Sequence, residues 1–450
     1  MPAASLRPYQ RLAVDFGMVA RRWILADAPG AGKTATALAW MEAVQARRTL
    51  IVAPLQVLRH WEAQAATFAP DTLVVVGTGT ATQRASARRA TEFPRGRGAT
   101  ALVINYEAMR IDIDRLVKMG FDTVIFDEAH RLKNRATVQR KCAAKLARRS
   151  LYLCLATATP VLNSADELWS PLALIDHGKY PSYWRWAQER FTIETPTYGY
   201  SLKPVLKIGP LLPGAAETIK GELAGKIIQR TLRDVLPGMS DPIQTVLSVD
   251  LSPAERKAYD QLMKHKWFEL DGEVTSTTNV VSRQTRARQL TSDWGTIQAT
   301  LDVGAKAAAA IELYKDLAPE KVVILTAFRA TAQRIAAATD GALYMGGMSA
   351  AERHEAVEAF RSGRSRAFVG TLQAVGEGLD GLQVARHMIL VDRSWVPATN
   401  DQAIGRLQRS GQAGIVQVTH LVASNTIDET VAQALVAKRD VIDALGLAVA

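Results

Sequence analysis

One lysine, one threonine, two adjacent acids and two arginines in this chain are of the types, and at the spacings, that phosphate chemistry uses. After the apolar run Trp23–Ala26 comes Asp27-Ala28-Pro29-Gly30-Ala31-Gly32-Lys33-Thr34, followed by the helix-like stretch Ala35–Val44. Glycines at a strand-to-helix turn let backbone N–H groups wrap a phosphate chain at a helix N-terminus. In such a loop Lys33 reaches the β- and γ-phosphates and the Thr34 hydroxyl holds Mg²⁺, with the whole segment Asp27 to Thr34 cradling the nucleotide. The usual first glycine of G-x-x-x-x-G-K-[ST] is Asp27 here. Further on, the apolar stretch Thr123–Phe126 ends in Asp127-Glu128-Ala129-His130. At the carboxyl end of a buried strand, Asp127 would hold Mg²⁺ through its water shell. Glu128 would orient and deprotonate an attacking water. Near the far end, Arg406 and Arg409 lie in Gln402 to Gln412, one helical turn apart and so expected on one face. Supplied by a second lobe, they fit the logic of an arginine finger; standing alone, they read as a solvated basic helix face.

These residues need a scaffold of strand ends, and the hydrophobic pattern supplies one. Short apolar runs recur at Trp23–Ala26, Leu50–Ala53, Leu73–Val76, Leu102–Ile104, Val124–Phe126 and Leu151–Leu155. They return at Val322–Leu325, Ala367–Val369, Met388–Val391 and Val416–Leu421, with helix-like stretches between. Continuous apolar strands alternating with helices predict doubly wound parallel sheets. Residues 165–300 hold Trp169, Trp184 and Trp186 and read as more helical than extended. The organisation expected is a first α/β lobe over 1–165 and a mostly helical insertion over 166–245. A last first-lobe segment with a helical linker over 246–300 and a second α/β lobe over 301–450 complete it. The fold class is α/β, in two tandem lobes.

Composition sets the class of molecule. With 48% of its 450 residues hydrophobic and 22% charged, the chain reads as an ordinary globular protein. Arg7, Arg11 and Asp15 leave no apolar core for a signal peptide, and no apolar run has membrane-spanning length. Two cysteines and seven scattered histidines make neither a zinc pattern nor a disulfide framework, which favours a reducing cytoplasm. Lys and Arg number 55 against 44 Asp and Glu, a net charge of +11 that favours a polyanionic partner.

The ordered motifs resemble the Swi/Snf-type ATPases of helicase superfamily two. Asp127 to Asn134, D-E-A-H-R-L-K-N, and Gln402 to Gln412 carry the likeness most specifically. Leu6-Arg7-Pro8-Tyr9-Gln10 is similar to the family's adenine-recognition element, which implies that Gln10 reads the base. Val52 to Leu55 with Trp61 beyond, Asn105-Tyr106-Glu107, and Thr157 to Pro160 with Asn163 and Asp166 to Trp169 resemble motifs Ia, Ib and III. Arg230 to Pro237 resembles the segment closing the insertion. Lys321 to Phe328 with Gly346 to Ser349 resembles motif IV, and Thr371 to Asp380 with Trp395 and Pro397 resembles motif V and the approach to motif VI. Ala28-Pro29 replaces the family's Glu-Met, Ala158 a glycine, and motif V is one residue longer. The resemblance implies RecA-like lobes, ATP with Mg²⁺, and double-stranded DNA as partner, with no membrane involved.

The function expected is a DNA-dependent ATPase that translocates on duplex DNA. The alternatives are a strand-separating or annealing helicase and, from another class, a non-catalytic DNA-binding scaffold. Five residues precede Leu6 and 38 follow Gln412, which leads to the expectation of a bare, monomeric motor of bacterial or phage origin, directed by a targeting partner. Arg84, Arg88, Arg89, Arg95 and Arg97, against the single acid Glu92, read either as a phosphate track or as a solvated loop. Arg283, Arg286 and Arg288 pose the same choice. Trp184 and Trp186 could stack on bases, though aromatic packing within the insertion is the safer account.

Overall fold

A strand buried on both faces sends alternate side chains into two cores, which is why its sequence is apolar at every position. The computed structural model bears this out. It describes residues 6–92, 98–194, 206–236, 238–265, 267–270, 273–276, 280–298, 302–376, 379–409 and 411–447. Arg95, Arg97, Pro237, Ser410 and residues 377–378 of the motif V segment lie outside the described residues. The chain divides into two compact units, Met1–Val235 with Asp440–Ala450, and Leu236–Arg439.

The first unit is built on β1 (Arg22–Leu25), β2 (Arg48–Ala53), β3 (Thr72–Val76), β4 (Ala99–Asn105), β5 (Thr123–Asp127) and β6 (Tyr152–Ala156). A hairpin of β7 (Phe191–Glu194) and β8 (Lys207–Leu211) and a short β9 (Ile227–Ile228) follow within the insertion. The parallel sheet has the order β3-β4-β2-β5-β6-β1-β9. Ile24, Leu50, Val124 and Phe126 enter one core, while Trp23, Leu25, Ile51 and Ile125 enter the other. The β1-to-β6 crossovers run through helices on both faces, so every strand ends toward the same edge, where ligands of such sheets bind.

The second unit holds β10 (Ile243–Val249), a hairpin of β11 (Trp267–Leu270) and β12 (Glu273–Ser276), and β13 (Val322–Thr326). β14 (Ala342–Tyr344), β15 (Ala367–Thr371), β16 (His387–Leu390) and β17 (Gln417–Ala423) complete it. Its sheet is again parallel, ordered β10-β17-β16-β13-β15-β14. Val323, Leu325 and Phe368 line one core and Val322, Ile324 and Val369 the other.

Two boundaries differ from expectation. Residues 246–300 were expected to hold a last first-lobe segment, but β10 pairs with β17 along its length, from Ile243↔Gln417 to Val249↔Ala423, and so extends the second sheet. Strand sequence specifies that a segment is extended, and pairing decides which sheet receives it. The tail, counted with the second lobe, buries Leu445 and Leu447 in a core of the first unit.

Inside the second unit a charged cluster replaces apolar packing. Lys306, wholly buried, places Nζ 2.6 Å from Asp428 and 3.1 Å from Asp392. Asp392 also accepts hydrogen bonds from Ser292 (2.7 Å), Thr326 (2.5 Å) and the amide of Ala327 (3.1 Å). Burial alone would lower the lysine's pKa, but the two carboxylates overcome it and raise it. Burial likewise works against the Asp392 charge, and Lys306 with the hydroxyls brings its pKa below the ordinary value. The cluster ties helices Val280–Ser292, Ala305–Asp316 and Ile427–Ala444 to the ends of β13 and β16.

His420 on β17 tests this packing. Burial, with Arg393 and Arg439 nearby, lowers its pKa to about 4, and its Nε2 lies 2.9 Å from Oε1 of Gln244 on β10. A depressed folded-state pKa means that the unfolded chain takes up the proton first, so stability falls as pH drops from about 6.5 to about 4. By linkage this amounts to about 3 kcal/mol. His420→Gln should flatten the pH dependence of the urea midpoint across that window; an unchanged slope would remove His420 as its source.

Candidate nucleotide-binding site

The loop from Asp27 to Thr34 leaves β1 and enters the helix Lys33–Ala43. Gly30 and Gly32 have φ of 79° and 75°, left-handed values that L side chains rarely adopt. At Gly32 an added Cβ would also lie 2.6 Å from Nε2 of Gln10. The Lys33 ammonium lies within the loop and donates to the main-chain carbonyls of Asp27 (2.8 Å) and Ala28 (3.1 Å). Thr34, in the first helical turn, is half-buried.

Gln10 is brought to this loop. Its Nε2 donates to the carbonyls of Ala31 and Gly32, both at 3.3 Å, and its Oε1 accepts from the Arg7 amide at 2.9 Å. The Tyr9 hydroxyl donates to Ala31 O at 2.8 Å. Helix Pro8–Ala20 thus grips the loop's backbone from one side.

Asp27 has a different place from that expected of a phosphate-loop residue. It is fully buried and forms a two-point ion pair with Arg230, Nε to Oδ1 at 2.8 Å and Nη2 to Oδ2 at 2.5 Å. Its carboxylate is therefore engaged by protein, and only its carbonyl, on Lys33, serves the loop directly. An acid directly after a buried strand signals that a cation must come from elsewhere. The sequence gives no means of selecting Arg230 from the chain's other basic residues.

The acid pair sits at the end of β5. The Asp127 Oδ2 accepts from the Trp61 indole N–H at 2.9 Å, Oδ1 accepts from the Glu128 amide at 2.9 Å, and the Tyr106 hydroxyl donates to Asp127 O at 2.6 Å. Burial and the neighbouring Glu128 push the Asp127 carboxyl up to about 6, against the pull of Trp61 and Lys33 in the other direction. β1 and β5 flank β6, with Leu25 and Asp127 both paired with Ala156, so the loop after β1 and the acid pair lie at one edge of the sheet within the first unit. Glu128 has φ of 49°, a strained conformation for a residue with a side chain. Nδ1 of His130 lies 3.1 Å from Glu128 Oε2 and 3.3 Å from the Thr157 hydroxyl, linking the acid pair to the segment after β6.

One carboxylate and one hydroxyl beside a phosphate loop suit Mg²⁺. This ion takes one or two protein oxygens and fills its octahedron with phosphate and water. Among the described residues no group of three or more His, Cys, Asp or Glu is placed to hold a metal, which this donor set does not require.

In the second unit Arg406 and Arg409 follow the helix Pro397–Ile404 in tight turns rather than on its face. They nevertheless converge. Arg406 donates to the carbonyls of Leu379 (3.2 Å) and Gly376, while Arg409 pairs with Asp380 (3.3 Å) and reaches Leu379 O (3.4 Å). Both arginines are held on the segment that resembles motif V.

Other candidates resolve differently. Arg84 and Arg88 lie on a helix, Ala81–Glu92, and pair with the buried Asp112 at 2.9 and 2.7 Å, so they form neither a phosphate track nor a solvated loop. Arg288 donates to Arg393 O at 2.7 Å, Arg286 to Gln289 at 3.0 Å and Arg283 to Met263 O at 3.4 Å. Trp186 is buried, with its indole N–H on Glu222 at 3.0 Å, and Trp184 packs edge-on against Tyr183 beneath Arg135. Beyond Arg230, the role of Trp61 escaped sequence reasoning, which placed it only in motif Ia. An indole N–H that must find a buried acceptor was the available signal.

The chain's sequence matches the pattern of the SNF2-related domain over residues 9–295 and of the helicase conserved C-terminal domain over 305–411. An uncharacterized ATP-dependent helicase of Mycoplasma pneumoniae is 26% identical over 460 residues, covering 97% of this chain and 42% of its own length. The Bacillus subtilis putative ATP-dependent helicase/translocase YwqA is 26% identical over 486 residues, covering 98% of this chain and 48% of that protein. The chain spans less than half the length of these relatives. A solved structure, the Sulfolobus solfataricus SWI2/SNF2 ATPase core in complex with dsDNA, is 23% identical, with 98% and 93% of the two chains covered and a TM-score of 0.44.

Trp61→Phe keeps an aromatic ring in the core and deletes the donor to Asp127. A hydrogen bond to the ionised carboxylate lowers its pKa, so its loss raises the pKa, and the charged form disappears at a higher pH. The acid limb of ATP turnover should move up by roughly one pH unit. An unmoved limb would reduce Trp61 to a packing residue.

Proposed function

The chain belongs to the SNF2-related family, and on that premise we propose that it hydrolyses ATP and couples hydrolysis to movement along double-stranded DNA. The observation that carries the proposal is the placement of Lys33, in its left-handed glycine turn after β1, and of Asp127-Glu128, at the end of β5, along one edge of the first sheet, where Leu25 and Asp127 both pair with Ala156. When ATP enters, the Lys33 ammonium exchanges the carbonyls of Asp27 and Ala28 for phosphate oxygens. Glu128, held by its strained turn and by His130, orients water for in-line attack on the γ-phosphate and takes its proton. Thr34 and Asp127 would hold Mg²⁺, which neutralises charge on the phosphates.

DNA as partner is supported by the +11 charge and by relatives named helicase or translocase. Translocation without strand separation is favoured over the helicase alternative by one observation. Strand separation needs a rigid wedge at the fork, and Trp186, one of the two insertion tryptophans that could have stacked on bases there, is buried on Glu222 and Phe191. The scaffold reading is opposed by the presence of Lys33, Thr34, Asp127 and Glu128 together in the first unit.

ATP turnover measured without DNA and with duplex, single-stranded and forked DNA tests the reading, with Glu128→Gln as the hydrolysis-dead control. Duplex of any sequence should stimulate turnover, the stimulation should weaken steeply with salt, and a triplex-forming strand should be displaced while a forked duplex releases little single strand. Equal turnover with and without DNA would overturn the motor, and efficient fork unwinding would favour the helicase.

If Arg406 and Arg409 stabilise the transferring phosphoryl group, replacing either with Ala should lower turnover by about 10³-fold or more while leaving nucleotide affinity close to normal. The measurement is kcat beside the dissociation constant of a fluorescent ATP analogue. Weakened binding with normal kcat would assign the arginines to nucleotide binding instead of to the transition state.

A further inference from the structure

The chain leaves the helical insertion along the nucleotide-binding loop itself. β9 pairs with β1, Ile24↔Ile227 and Leu25↔Ile228, and the backbone bonds continue past the strand. Ile24 N donates to Lys226 O (2.7 Å), Ala26 N to Ile228 O (2.8 Å) and Ala28 N to Arg230 O (2.9 Å), the last within the loop. The Arg230 side chain then turns onto the same loop. Its fork takes both oxygens of Asp27, Nη1 donates to Tyr9 O, and the guanidinium stacks 5.1 Å from the Tyr9 ring centroid. Tyr9 in turn donates to Ala31 O, beside Gln10 on Ala31 and Gly32. The contacts close a ring from Asp27 through Arg230 and Tyr9 to Ala31, so the loop is clamped at both ends.

We propose that Arg230 is a positioning residue for ATP, through which the strand leaving the insertion holds the phosphate loop and the helix Pro8–Ala20 in their nucleotide-binding arrangement. The inference rests on the ATP-binding reading above and adds a coupling to it. A planar fork on a buried carboxylate fixes direction as well as distance, which a lysine's single ammonium does not do. The exit strand therefore cannot shift without moving the loop. By reciprocity, nucleotide that orders the loop must also order the exit strand, and whatever moves the insertion changes nucleotide affinity by the same factor.

The test uses the whole chain, Arg230→Lys, and the double variant Asp27→Asn with Arg230→Gln, which removes the buried charges together and guards against misfolding from an unpaired acid. Two quantities are read at a temperature where each variant is folded by circular dichroism. One is the dissociation constant of a fluorescent ATP analogue, and the other is hydrogen exchange of the amides of residues 226–230 with and without a non-hydrolysable ATP analogue. In the unaltered chain nucleotide should slow exchange of that strand. In both variants affinity should fall tenfold or more and the nucleotide-dependent protection should vanish, while exchange in β13 and β16 of the second unit stays as it was. Variants that bind as tightly as the unaltered chain and keep the protection would overturn the proposal and leave Arg230 as a structural tie. An unaltered chain that fails to bind the analogue would overturn the ATP reading instead.

Discussion

A carboxylate at the end of a buried parallel strand has lost its water and must find charge or hydrogen bonds within the protein, at a cost of several kcal/mol if it does not. Both units of this molecule are organised around that constraint. In the second unit the answer is permanent: Lys306 stands between Asp392 and Asp428, hydroxyls from Ser292 and Thr326 complete the shell, and the carboxyl of Asp392 stays low. In the first unit the answer at Asp127 is partial. Trp61 and the Glu128 amide hold its oxygens, Lys33 lies near enough to help, and the carboxyl still titrates high. A carboxylate left short of compensation is poised to gain from a cation.

The same end of the first sheet stores backbone strain. Gly30 and Gly32 are left-handed where glycine makes that easy, and Glu128 is left-handed where it does not. These turns persist because both sides of the sheet are packed, with alternate residues of every central strand committed to different cores. A one-residue slip would exchange the two cores and turn Asp127 away from Lys33, so the packing of Ile51, Ile125 and Cys154 indirectly sets the geometry of the chemistry.

Charge in this chain is used in two ways that sequence does not distinguish. Some basic residues are used within the fold: Arg84 and Arg88 pair with Asp112, Arg190 with Glu222, Arg230 with Asp27, and Lys306 with two acids. A local run of arginines is therefore a poor guide to a phosphate track when a buried acid lies on a neighbouring helix. Net charge remains informative about a polyanionic partner because internal pairs cancel in the sum.

The elements that short-range physics governs were legible in the sequence. Apolar runs marked the central strands of both sheets, the glycine spacing marked the loop before Lys33, and an acid pair after an apolar stretch marked the end of β5. Each rests on a preference that the residues carry with them: burial for strands, left-handed φ for glycine, solvation for carboxylates. What tertiary structure decided was partnership. Only folding brings Arg230 to Asp27 across 203 positions, Trp61 to Asp127 and Lys306 to Asp428, because nothing in a side chain's type encodes which distant group it will meet. Pairing likewise assigned β10 to the second sheet and drew Leu445 and Leu447 into a core of the first unit. An extended segment offers its hydrogen bonds to any open strand edge, and an apolar tail offers its surface to any open core. The choice among them belongs to the folded chain as a whole.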